Sequence, residues 1–147
     1  MAFCFYILTS QVFGLKWAHE SMQPDVSLAR IHKWVFNGKP FSEWDTWLPL
    51  DTYSILAEIF TWDSYTTLMK QYYTLPEVND DNQKLDLWAR RYSQNVNTNL
   101  CSYFEWFGWP LTAETKDICS KLPAWTQDPL KRFAGKKFEV RSTFYKI

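Results

Sequence analysis

Apolar residues recur at helical spacing along most of the chain. Three stretches carry them at positions i, i+3, i+4 and i+7, namely Tyr65, Leu68, Met69 and Tyr72; Leu85, Trp88, Ala89, Tyr92 and Val96; and Leu100, Tyr103, Phe104 and Phe107. This spacing gathers apolar side chains on one face of an α-helix. Three such stripes predict amphipathic helices that pack on one another, so the expected fold class is all-α.

Further helices follow from start and stop signals. Residues 26–37 place Leu28, Ile31 and Val35 on one face, and Gly38 supplies a C-terminal stop. The pair Ser42 and Asp45 resembles a helix-start capping pair.

Proline and threonine mark two more starts. A new helix is expected near Pro49, because proline is tolerated in a first helical turn. Gly108 and Pro110 end the third stripe, and Thr112 can cap a short helix up to about Leu122. The result is a bundle of about six helices. Residues 137–145 alternate apolar and charged positions, which predicts a short strand or an extended tail.

Charge divides the chain into two parts. The 147 residues carry 16 basic and 16 acidic side chains. Residues 131–147 nevertheless hold six of the basic residues and only one acidic residue, Glu139, so this tail is net positive and residues 1–130 are net negative. We therefore expect a helical region over 1–130 and a basic-aromatic tail over 131–147.

The tail predicts contact with an anionic membrane surface. Its candidate residues are Lys131, Arg132, Lys136, Lys137 and Arg141, interleaved with phenylalanines. Each basic residue near such a surface contributes roughly 1 kcal/mol. The alternative is a tail surrounded by solvent. Nucleic acid is not an expected partner, because the rest of the chain is net acidic.

Other features indicate a cytoplasmic protein, peripheral to the plasma membrane if the tail binds lipid. No stretch is long and apolar enough to span a bilayer, and the apolar run 3–8 lacks a preceding positive charge. The three cysteines, Cys4, Cys101 and Cys119, include no C-x-x-C pair, so neither a disulfide framework nor a zinc knuckle is indicated. A reducing compartment fits this cysteine usage.

The stretch WAHESMQP at residues 17–24 comes within one residue of the zinc-protease motif H-E-x-x-H. Gln23 stands where the second histidine is needed, and Pro24 biases Gln23 away from helical geometry. The other histidine, His32, falls on an apolar helix face. We expect no cofactor, no metal site and no catalytic residue in this chain.

Several segments resemble the C-terminal part of peptidase M60-like domains, nearest to the TRP melastatin channel-associated factors. The most specific segment is NLCSYFEWFGWP at residues 99–110, and LDLWARRYS at 85–93 and LPAW at 122–125 extend the likeness. Weaker echoes are WDTW at 44–47 with LDTY at 50–53, and FTW at 60–62 with YYTL at 72–75. In that group the zinc helix lies upstream of the part that this chain resembles. The resemblance therefore implies a region without a zinc site.

Three functions remain open. The resemblance implies an interaction module that binds a cold-sensing TRP channel and affects its surface delivery or gating. The alternatives are the helical half of an M60-type zinc peptidase, inactive without its metal-bearing portion, and a glycan-binding module. Trp88, Phe104 and Phe107 lie on stripes and are expected in the core, whereas Trp34, Trp106 and Trp109 lie off them and are the candidate protein or glycan contacts.

Overall fold

The chain folds as a set of packed helices. The computed structural model describes residues 20–36 and 43–132, without the side chains of residues 20, 24, 35, 36 and 132. Its α-helices are α1 (Pro24–Ile31), α2 (Leu48–Tyr72), α3 (Asp81–Asn95), α4 (Cys101–Trp106) and α5 (Ala113–Ser120). A π-helical turn, His32–Phe36, continues α1, and 3-10 turns lie at Glu20–Met22 and Pro129–Arg132. The all-α prediction is confirmed, with five of the expected six or so helices in the described part.

The helix starts follow the capping chemistry of the sequence. Asp45 Oδ1 accepts the backbone N–H groups of Trp47 (2.9 Å) and Leu48 (2.8 Å), so one carboxylate satisfies two donors where α2 begins. Its expected capping partner Ser42 lies outside the described residues. The start predicted at Thr112 is confirmed, because the Thr112 hydroxyl accepts the N–H of Thr115 at 3.2 Å.

Aromatic side chains fill the centre of the bundle. The third stripe is almost fully buried, with Leu100, Tyr103 and Phe104 at 0% exposure and Phe107 at 1%. Trp88 stacks on Tyr92 of the same helix, with ring centroids 4.7 Å apart and planes 8° apart. Such pairs add about 0.5–1.5 kcal/mol to the stabilisation from burial alone. The core places the three stripes face to face, as their periodicity predicted.

A buried ion pair joins α1 to α2. Arg30 Nε donates to Asp51 Oδ2 at 2.6 Å and Arg30 Nη2 donates to Oδ1 at 3.1 Å, while the Ser27 hydroxyl donates to Oδ1 at 2.6 Å. Asp51 is 1% exposed. Burial raises the pKa of Asp51 from its usual 3.8, and the hydrogen bonds from Arg30 and Ser27 oppose that rise.

A second buried carboxylate joins α3 to the start of α5. Asp86 accepts three hydrogen bonds, from the backbone N–H of Thr112 at 2.7 Å, the Thr112 hydroxyl at 3.1 Å and the Thr115 hydroxyl at 2.8 Å. The side chain of α3 thus caps α5 together with Thr112 itself. These three hydrogen bonds hold the short helix α5 against the longer helix α3.

Candidate functional site: the break in helix α2

Helix α2 is interrupted at Thr61. This residue has φ 64° and ψ 163°, a backbone region that glycine adopts easily and that a β-branched residue enters only under strain. The interruption divides α2 into a first half bonded to α1 through Asp51 and a second half bonded to α3 through Ser64. We call this point the break. Residues held in such a region cost of order 1–3 kcal/mol, and they persist only where surrounding bonds hold them.

Three side chains hold the break in place. The Ser64 hydroxyl donates to the carbonyl oxygen of Thr61 at 2.7 Å. Because that hydrogen is used, the hydroxyl of Tyr92 donates in the 2.7 Å contact between the two hydroxyl oxygens. Asn95 Nδ2 donates to the carbonyl oxygen of Ser64, also at 2.7 Å. Burial raises the pKa of Tyr92 to about 12, so this phenol keeps its proton at neutral pH.

A shallow pocket of about 300 Å³ opens at the break. It is lined by Phe60, Thr61, Asp63, Ser64, Thr67, Asn95 and Val96. Two apolar side chains form part of its wall, and hydroxyls, an amide and one carboxylate form the rest. This mixture suits a protein or peptide side chain that combines an apolar body with a hydrogen-bond donor.

Exposed apolar side chains lie near the C-terminal end of α2. Met69 is 46% exposed and Tyr73 is 91% exposed. They are four residues apart, which places them on the same side of a helix. We call these two residues the α2 patch. The position of Met69 differs from its place on the predicted stripe, because the core takes up its neighbours Tyr65 and Leu68 and leaves Met69 at the edge.

The three candidate tryptophans do not share one surface. Trp34 and Trp106 are half-buried and pack against the core, and the ammonium of Lys33 lies 5.5 Å from the centroid of the Trp34 ring. Trp109 is 4% exposed, so the expectation that it is an exposed contact is wrong. The eight tryptophans in the described part of the chain are all buried or half-buried.

A helix-ending motif explains the burial of Trp109. The N–H of Gly108, which has φ 71°, donates to the carbonyl of Glu105 at 2.9 Å, and the N–H of Trp109 donates to Phe104 at 3.0 Å. These two bonds form a Schellman motif, which brings the residue after the glycine back onto the helix. The rings of Trp109 and Phe104 accordingly stack at 4.7 Å. Among the described residues, the indole Nε1 of Trp109 has no hydrogen-bond partner.

The tail residues lie mostly beyond the described part. Lys131 is exposed, and its ammonium donates to the carbonyl oxygen of Trp125 at 3.0 Å. The side chain of Arg132, together with Lys136, Lys137 and Arg141, lies outside the described residues, as does the strand or extended segment expected at 137–145. Contact with a membrane surface therefore stays a prediction.

The described part of the zinc near-motif, residues 20–24, does not form one continuous helix. Gln23 has φ −59° and ψ 141°, which is extended geometry, and α1 starts only at Pro24. Among the residues 20–36 and 43–132, no group of three His, Cys, Asp or Glu side chains lies close enough to hold a metal ion. Within the same residues, no helix has both the length and the apolar content needed to cross a membrane.

The sequence contains a partial signal for the break. Thr61, Asp63 and Ser64 are residue types that start helices, and they lie just before the stripe that begins at Tyr65. Because neither glycine nor proline marks the position, the positive φ of Thr61 cannot be read from the sequence. Tyr92 and Asn95 join the site only through the packing of α3.

The chain has relatives among known proteins. Residues 8–108 match the family described as peptidase M60, enhancin and enhancin-like. Over 115 residues the chain is 36% identical to TRPM8 channel-associated factor 2 of Homo sapiens, which covers 78% of this chain and 12% of the relative. No solved structure matches it.

Two further relatives give the same picture. The chain is 35% identical over 117 residues to the TRPM8 channel-associated factor homolog of Xenopus laevis, covering 79% of this chain and 13% of that protein. It is 36% identical over 127 residues to the homolog of Danio rerio, covering 84% and 14%. The chain thus spans about an eighth of the length of these relatives.

Proposed function

The chain belongs to the peptidase M60, enhancin and enhancin-like family, and we propose that it acts there as a non-catalytic module that binds a TRP channel. The relatives described above are named for association with the TRPM8 channel. A protein partner is therefore the first expectation for the matching region. We propose that this contact regulates the delivery of the channel to the cell surface or its gating, from a cytoplasmic position at the plasma membrane.

The α2 patch is the observation that carries the proposal. Tyr73 is 91% exposed and Met69 is 46% exposed, next to an otherwise polar helix face. Exposed methionine and tyrosine side chains suit protein contacts, since both residue types are enriched in protein interfaces. Methionine adapts to the shape of a partner, and tyrosine offers a large ring with a hydroxyl at its end.

The break supplies a second, polar part of the same helix. Its pocket begins at Phe60 and ends at Thr67 on α2, two residues before Met69. A partner that covers the α2 patch and inserts one side chain into the pocket would bury apolar area at the patch. It would also make hydrogen bonds in the pocket. That combination is typical of specific protein contacts.

Burial of the tryptophans gives the glycan alternative less support. Stacking on a sugar needs an exposed ring face, and the described tryptophans are buried or half-buried against the core. The α2 patch offers one exposed ring, Tyr73, beside a flexible methionine rather than a flat aromatic platform. We therefore propose a protein partner for this surface.

Co-purification with a detergent-solubilised TRPM8 channel tests the proposal. The double variant Met69→Ser, Tyr73→Ser is expected to lose about tenfold or more in affinity, as centrally placed interface residues do. Val26→Ser is the matched control, because Val26 is 42% exposed but lies on α1. Circular dichroism checks that each variant stays folded.

The possible outcomes distinguish an error about the contact surface from an error about the partner. Binding by the unaltered chain that survives the double substitution would show that the α2 patch is not the contact. An absence of binding by the folded, unaltered chain would overturn the channel-binding function itself.

A further inference from the structure

Two cysteines from different helices meet in the core. Cys101 is the first residue of α4 and is 7% exposed, and Cys119 lies near the end of α5 and is fully buried. The Sγ atom of Cys101 lies 3.9 Å from the carbonyl oxygen of Thr115. Thr115 is one turn before Cys119 on the same helix, and its side chain is likewise fully buried.

The direction of helical side chains brings the two sulfur atoms together. In an α-helix each side chain tilts toward the N-terminus and covers the turn before its own Cα. The side chain of Cys119 therefore leans over the turn that contains Thr115, which is the turn that Cys101 Sγ contacts. The 3.9 Å contact of Cys101 Sγ with the carbonyl oxygen of Thr115 therefore places the two cysteines beside each other where α4 packs on α5.

We propose that Cys101 and Cys119 are a modification site, a dithiol that a peroxide oxidises to a disulfide joining α4 to α5. A disulfide requires Cβ atoms about 3.5–4.5 Å apart, a separation suited to two cysteines buried side by side on packed helices. The bond would close the segment between residues 101 and 119.

The environment of the pair favours one thiol as the nucleophile. The contact with Cys101 lowers the pKa of Cys119, against the effect of burial. The same thiol contact raises the pKa of Cys101 above its usual range, as does burial. Because the thiolate is the reactive form, Cys119 reacts first and Cys101 resolves.

The reaction balances with a peroxide as the oxidant. The Cys119 thiolate attacks one oxygen of hydrogen peroxide, the O–O bond breaks, and the departing hydroxide takes a proton to become water. Cys119 is then a sulfenic acid. The sulfur of Cys101 attacks the sulfenic sulfur, the S–S bond forms, and the sulfenic oxygen leaves as a second water with the Cys101 proton. Two thiols are oxidised and one peroxide is reduced.

A small oxidant suits a site of this depth. Cys119 lies in the last turn of α5, an eight-residue helix in which most residues are exposed. Local opening at such an end is less costly than opening within a long helix. Hydrogen peroxide needs only a brief opening of this kind, whereas a bulky disulfide reagent needs a wider one.

Mass spectrometry of the whole chain tests the proposal. The variant Cys4→Ser serves as the background, since it leaves only the two core thiols. After treatment of the folded protein with hydrogen peroxide, we expect the mass to fall by two hydrogen atoms and both thiols to resist alkylation in urea. A phosphine reductant should restore both thiols, and peptide mapping should find residue 101 linked to residue 119.

Two single variants in that background serve as controls. Cys101→Ser should accumulate a sulfenic acid at Cys119 that a dimedone probe traps, whereas Cys119→Ser should be trapped roughly tenfold less. Thermal unfolding supplies an independent reading, because the oxidised chain should melt about 5–10 °C higher than the reduced chain.

Other outcomes would overturn the inference. A gain of oxygen without cross-linking, a disulfide between two chains, or thiols that react only after unfolding would each show that the pair does not close on itself in the folded protein.

Discussion

The buried pair Arg30 and Asp51 sets up a test of how charge stabilises this fold. The substitution Asp51→Ala removes the acceptor of three hydrogen bonds with lengths of 2.6, 2.6 and 3.1 Å. It leaves the guanidinium of Arg30 in a position where the residue is 9% exposed. Removing one partner of a buried pair costs about 3–5 kcal/mol, mostly because the remaining charge is poorly solvated.

Urea unfolding followed by tryptophan fluorescence measures that cost. Nine tryptophans give a strong signal. With a slope of about 2 kcal/mol/M, a loss of about 4 kcal/mol lowers the unfolding midpoint by about 2 M urea. The double variant Arg30→Met, Asp51→Leu should recover most of the loss, because it replaces the pair with apolar side chains of similar size.

The single variant Arg30→Met adds a test by pH. Burial already raises the pKa of Asp51 above 3.8, and loss of the Arg30 hydrogen bonds raises it further. The native state then holds the proton more tightly than the unfolded chain does. The free energy of unfolding should therefore fall as pH rises from about 4 through the raised pKa, and level off above it.

Two results would refute this reasoning. One is a loss below about 1 kcal/mol for Asp51→Ala at an unchanged slope, which would indicate that water reaches the pair. The other is a double variant as unstable as Asp51→Ala, which would assign the loss to packing instead of to the unpaired charge.

Three further substitutions test other contacts by the same urea assay. Asp86→Ala should cost about 2–4 kcal/mol because it leaves the backbone N–H of Thr112 and the buried hydroxyl of Thr115 without their acceptor. A loss under about 1 kcal/mol would count against that network. Thr61→Gly should stabilise the chain by about 1 kcal/mol by relieving the positive φ, whereas Thr61→Ala should not; equal effects would argue against strain. Burial raises the pKa of Asp128, so the free energy of unfolding of the unaltered chain should fall as pH rises above 3.8. Asp128→Asn should therefore be the more stable chain at neutral pH, and its advantage should disappear toward pH 3.8. A stability difference that stays constant with pH would contradict this.

The parts of the fold that the sequence predicted depend on local chemistry. The stripe from Leu100 to Phe107 is buried as its periodicity required, and Thr112 caps α5 through its own hydroxyl. Proline at position 49 marked the start of α2. Each of these needs only the nearest neighbours in the chain, which is the information that a single sequence holds.

Two of the features that the sequence analysis did not predict depend on contacts between residues far apart in the chain, and one depends on a helix-ending motif at Gly108. The burial of Trp109 could have been predicted from the sequence. Phe104 followed by Gly108 allows a Schellman helix ending, which folds Trp109 back onto the helix. The meeting of Cys101 with Cys119 required the crossing of α4 with α5, which spacing does not give. The pocket at the break likewise needed the position of Asn95 relative to Ser64.

The break divides α2 into two halves whose side-chain hydrogen bonds lead to different helices. The first half is fastened to α1 through Asp51, and the second half is fastened to α3 through the bonds at Ser64. A force exerted by a partner bound at Tyr73 would therefore be transmitted along the second half to α3. Through Asp86 it would reach α5, the helix that carries Cys119. The Tyr65 hydroxyl, which donates to the carbonyl oxygen of Tyr53 at 2.7 Å, would carry part of the same force across the break to the half that holds Asp51. A partner bound at Tyr73 would therefore act on both the dithiol and the buried ion pair.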